Sequence, residues 1–146
     1  MKSGRNANAR NARYLNVDLD IESKSPLKSL EKELGDGVVV MYSGRIKNRH
    51  CLFLETAKYH KNPDTTIHEL CRLIEGLSPG ARRLWDEAVR REFDIGYETR
   101  FSLRHANRFT VRPSTLRRVA KLSAGLSVTV YREDDTEPGK ALTRAR

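Results

Sequence analysis

Leu15, Val17, Leu19 and Ile21 alternate with Asn16, Asp18, Asp20 and Glu22. Successive side chains of a strand point to opposite faces, so residues 15–22 predict a strand with one apolar face and one acidic face. The period then lengthens. Leu27, Leu30 and Leu34 follow the helical spacing behind Ser25-Pro26, a serine suited to capping and a proline suited to a first turn, and Gly35 ends that helix. Two near-continuous apolar runs, 38–42 and 51–56, predict strands in central positions, covered on at least one face. The polar stretch between them, with Arg45, Lys47 and Arg49, predicts an exposed hairpin loop over 43–50.

Asn62-Pro63-Asp64 opens a second helix whose apolar stripe is Ile67, Leu70, Cys71, Ile74 and Leu77. Ser78-Pro79-Gly80 breaks it and caps a third, with Leu84, Trp85, Ala88 and Val89 apolar. Phe93, Ile95 and Tyr97 alternate with Asp94, Gly96 and Glu98 as a strand, continued by Phe101 and Leu103, with Phe109 and Val111 in a further short stretch. Residues 113–122 predict a last helix with Leu116, Val119, Ala120 and Leu122 inward. Gly125 stops it, and Leu126, Val128 and Val130 alternate with polar residues in a closing strand. The order β-α-β-β-α-α-β-β-α-β brings strands together without intervening helices. It predicts a two-layer α+β domain, with an antiparallel or mixed sheet of about five to six strands and helices on one face.

At 146 residues the chain fits one domain. Residues 1–13 carry Lys2, Arg5, Arg10 and Arg13 with no acid and no large apolar side chain, and predict a flexible basic tail. Residues 132–146 balance four bases against four acids around Pro138-Gly139 and predict a second tail, which leaves 14–131 as the domain. Two cysteines argue against a disulfide scaffold. No apolar run approaches the length of a membrane span or of a signal peptide's core, so the expectation is a soluble, cytoplasmic protein that does not contact membrane.

Charge changes the picture further. Lys and Arg total 28 against 19 acids, a formal +9, and the surplus is uneven. Arg100, Arg104, Arg108, Arg112, Arg117, Arg118 and Lys121 follow one another without a single acid between Thr99 and Tyr131. The guanidinium fork suits phosphates and carboxylates, so these seven are the candidate partner- or phosphate-binding residues. The plain alternative is a solvated face balanced in space by Asp18, Asp20 and Glu22.

Within this region the residues Phe93 to Glu98, the stretch Phe109-Thr110-Val111-Arg112-Pro113, and then Leu116, Leu122 and Leu126 to Tyr131 resemble a family of small bacterial α+β domains of unknown function. In that family a strand with Ile-Gly precedes a strand-helix-strand ending in tyrosine. The resemblance covers about 40 residues, rests on core positions, implies the fold class and carries no catalytic residue.

Chemistry finds little to hold. His50, Cys51, His60, His68 and Cys71 are the possible metal ligands, but Cys71 lies on an apolar helix stripe and His50 and Cys51 point to opposite faces of a strand. No metal and no cofactor is therefore expected. There is no Gly-x-Ser-x-Gly elbow and no phosphate-binding glycine loop. Glu98-Thr99-Arg100 resembles the acid-x-base element of metal-dependent nucleases, with arginine where lysine is needed. The composite expectation is a non-enzymatic protein-interaction domain using its polar sheet face or the arginine-rich segment. The alternative is a nucleic-acid binder using residues 100–121, and a metal-dependent hydrolase ranks behind both. The oligomeric state is not legible.

Overall fold

The computed structural model describes residues 12–99 and 108–132. Its elements run β1 (Ala12–Ser23), α1 (Lys28–Leu34), a single 3-10 turn, β2 (Val38–Ile46), β3 (Arg49–Thr56), α2 (Pro63–Glu75), α3 (Pro79–Glu87), β4 (Arg90–Thr99), α4 (Pro113–Lys121) and β5 (Gly125–Arg132). The five strands form one mixed sheet in the order β2-β3-β1-β4-β5. Every neighbouring pair is antiparallel except β4 and β5, which are parallel and joined through α4. This is the two-layer α+β architecture that the alternation predicts.

The core lies between the helices and one face of the sheet. Val17, Leu19 and Ile21 of β1 lie beside Leu52 and Leu54 of β3 and Phe93 and Ile95 of β4, and all are buried. Leu30, Ile67, Leu70, Cys71, Ile74 and Trp85 close over them. Trp85 is fully buried, and its indole N–H donates to the Leu122 carbonyl at 3.0 Å, which satisfies the polar handle such a ring needs in a core. Local chemistry starts the helices where the punctuation lies. Asn62 Oδ1 accepts the Thr65 N–H at 2.9 Å with Pro63 in the first turn, and Ser78 Oγ accepts the Ala81 N–H with Pro79 in the first turn.

Several expectations require correction. The hairpin loop is two residues, not eight, because β2 and β3 pair as far as Ile46 and Arg49 and Lys47 takes the left-handed conformation (φ 55°) that lets the chain reverse at once. β2 is an edge strand, with Val39, Val40 and Met41 exposed, not a central one. Residues 109–111 form no strand: Phe109 instead packs on Tyr14 and Tyr97, and Val111 lies against the core. Ser25 does not cap α1; its N–H donates to Ser23 Oγ and the helix begins later. Leu116 and Ala120 of α4 and the apolar row of β5 are exposed instead of inward. Ala12 and Arg13, assigned to a tail by the sequence, belong to β1, with Arg13 opposite Glu98. Phe101 and Leu103 lie outside the described residues.

Candidate functional site

The sheet face turned away from the helices is built from β1, β3, β4 and β5. Register sets its charge. Asp18 sits directly opposite Asp94, Asp20 opposite Glu92, and Glu22 opposite Arg90. A bulge in β1 between Tyr14 and Asn16 shifts the alternation by one residue, so Asn16, Asp18, Asp20 and Glu22 share the open face while Tyr14 turns inward to the helices. Glu55 of β3 extends the same acidic surface, while Glu98 of β4 shares that side of the sheet but is buried.

Hydrogen bonds fix most of these carboxylates. Asn16 Nδ2 donates both to Asp18 Oδ1 at 2.9 Å and to Glu55 Oε2 at 2.6 Å, bridging two strands. Gly96, across from Asn16, gives that amide its room: a Cβ there would come within 3.0 Å of Asn16 Oδ1. The Thr129 hydroxyl of β5 lies 2.8 Å from both oxygens of Asp94, and the Ser127 hydroxyl donates to Glu92 at 3.0 Å. Two guanidiniums among the described residues pair with the face. Arg13 holds the buried Glu98 at 2.7 Å, at the end where the chain enters β1. Arg90 contacts Glu22 at 2.7 Å, Glu92 at 2.9 Å and Asp20 at 3.4 Å. Partial burial works against the charged form of Arg90, but its hydrogen bonds to Glu92 and Glu22 outweigh this and raise its proton affinity.

The arginine-rich segment is organised differently. Asp64, buried at the start of α2, accepts the Arg112 backbone N–H at 2.9 Å and its Nε at 2.8 Å. Burial pushes the Asp64 carboxyl up, but the bonds from Arg112 win and hold it below the usual carboxylate range. Arg118 Nε donates to Glu75 at 2.7 Å. Arg108, Arg117 and Lys121 are exposed, while Arg100 and Arg104 lie outside the described residues. Among the described residues of this segment, Arg112 pairs with Asp64 and Arg118 with Glu75, both of α2, on which α4 packs.

Of the possible metal ligands, Cys51 and Cys71 are buried free thiols, and burial pushes Cys71 up to about 11. Among the described residues no three His, Cys, Asp or Glu side chains converge in a way that could hold a metal ion. No helix among them is long and apolar enough to cross a membrane. The juxtaposition of Asp18 with Asp94 and of Asp20 with Glu92 was missed in the sequence, where each strand shows its own acids but not their register. No family model, curated protein or solved structure matches the chain, so the resemblance of its C-terminal third rests on sequence pattern alone.

Proposed function

We propose that this domain is a non-enzymatic binding module that takes a basic protein partner on the open, acidic face of its sheet. The observation that carries this reading is the direct cross-strand opposition of Asp18 with Asp94 and Asp20 with Glu92. Register thereby gathers carboxylates of β1, β3 and β4 on one side of a chain whose net charge is +9. Such a face steers lysine and arginine of a partner toward it. The same field repels phosphates. Arg112 and Arg118, which a nucleic-acid reading would use, are instead ion-paired with Asp64 and Glu75.

The test is affinity capture from nuclease-treated native extract with the full chain, its Asp18→Asn/Asp94→Asn variant and its Arg117→Glu/Arg118→Glu variant. The expected result is a basic protein retained by the wild type and by the charge-reversed helix but lost with the neutralised face. Retention lost only with the helix variant, or abolished by nuclease, overturns the reading.

A further inference from the structure

At one corner of the acidic face, where β1, β2 and β3 meet the loop before α2, lies an open pocket of about 250 Å³. Its walls are chemically unlike one another. Tyr59 stands 65% exposed with its ring centroid 6.5 Å from that of Tyr14. Glu55 supplies a carboxylate, of which Oε2 is held by Asn16 at 2.6 Å. Val39, itself exposed, adds an apolar patch. His60 also lines the pocket, and its Nε2 is buried without a hydrogen-bond partner. The Tyr14 hydroxyl is already engaged with Thr66 at 2.6 Å, so Tyr14 offers ring surface and no free donor.

We infer that this pocket receives an arginine side chain of the basic partner. An exposed tyrosine ring attracts a cation over its face, and a planar guanidinium stacks there better than an ammonium does. The Glu55 carboxylate accepts two N–H groups from one planar fork without leaving its place on Asn16. The carboxylate disfavours an anion, and the open mouth suits a side chain presented from a protein surface rather than a small molecule enclosed on all sides. Arginine and tyrosine are among the residues that most often anchor a protein interface.

The inference rests on the acidic-face reading, and its experiment separates the two. The full chain, labelled with nitrogen-15, is titrated with N-acetyl-arginine amide, with the lysine analogue and with the neutral citrulline analogue. The arginine probe is expected to shift the Tyr59 and His60 amides saturably, with affinity on the order of millimolar for so small a ligand. The lysine analogue should bind more weakly and citrulline not at all. Tyr59→Ala should weaken the arginine probe about fivefold and Glu55→Gln about tenfold.

Equal shifts from citrulline, or no saturable shift, would overturn the assignment. So would binding that appears only after Lys2, Arg5 and Arg10 are replaced by glutamine, which would give the pocket to the chain's own N-terminal segment. Shifts that grow with protein concentration in the absence of probe would give it to a second copy, with the same consequence. Failure of Asp18→Asn/Asp94→Asn to release the captured partner, with arginine-probe binding intact, sinks the acidic-face reading and leaves the pocket standing.

Discussion

The open sheet face and the α4 segment carry opposite charge and acquire it in opposite ways. Along α4 the charge is contiguous in sequence, yet folding breaks it up: Arg112 and Arg118 turn to Asp64 and Glu75 of α2, while Arg117 and Lys121 stay in solvent. On the sheet the acids are dispersed over residues 18 to 98, yet pairing of β1, β3 and β4 gathers them on one surface. A charge run in a sequence is therefore weak evidence for a charged patch, because a helix distributes its residues around an axis. Alternating acids on a strand are stronger evidence, because a strand keeps them on one side.

The largest expected effect tests whether the Arg112 pair is structural. Asp64→Ala removes the acceptor for two hydrogen bonds from Arg112, one of them from its backbone, and leaves the start of α4 untied from α2. The expected loss in urea unfolding is about 2–3 kcal/mol, as for hydrogen bonds to a buried charge. Arg112→Ala should cost less, about 1 kcal/mol, because its N–H still reaches Asp64. The pH dependence has a definite sign. A carboxyl held below its unfolded value adds stability that is complete above about pH 4 and is lost as pH falls through the folded value. Asp64→Asn should flatten that part of the stability profile. Equal pH profiles for wild type and variant would mean that the pair is decorative.

Next in size is Arg90, the guanidinium set among Asp20, Glu22 and Glu92. Arg90→Gln leaves those carboxylates crowded together and should destabilise by about 1–2 kcal/mol at low salt, an amount reduced for its partial exposure. The loss should shrink in 1 M salt. A loss unchanged by salt would assign the effect to packing of the arginine stem and not to repulsion on the face.

How much of this could be read beforehand follows the same division. β1 was legible with its acidic face, because strict alternation has one structural meaning. The helix starts at Asn62 and Ser78 were legible because capping chemistry is local. Edge position was not legible. Val39, Val40 and Met41 read as a covered strand, and Leu126, Val128 and Val130 as core, because composition does not reveal whether a neighbour arrives on the second side. The same limit hid the face. Asp18 and Asp94 are opposed only through the register of β1 on β4, and the pocket sets Glu55, Tyr59 and His60 against Tyr14, Asn16 and Val39 from distant parts of the chain.

A smaller effect belongs to the other ion pair of α4. Arg118→Ala gives up its bond to Glu75, a contact open to solvent, and should cost about 0.5 kcal/mol in urea unfolding. A loss approaching that of Asp64→Ala would mean that both ends of α4 are clamped to α2 with equal strength.

The smallest effects are expected from the exposed bases themselves. Arg117 and Lys121 are exposed, so their joint replacement by alanine should leave stability within about 0.5 kcal/mol of wild type. Their consequence lies in binding. Five phosphate contacts on duplex DNA would give a log–log salt slope of about −4.5, whereas three, from Arg108, Arg117 and Lys121, would give about −2.7. The carboxylates of the sheet face further oppose a polyanion. A mixed-sequence duplex and a single-stranded oligonucleotide, titrated at physiological salt, should therefore bind no tighter than about 100 μM, at the weak end of non-specific association. Tight binding with a slope of about −4.5, abolished by Arg117→Glu/Arg118→Glu, would require Arg118 to leave Glu75 for phosphate. It would reverse the assignment of the two regions, making α4 the working surface and the acidic face the side kept clear of nucleic acid.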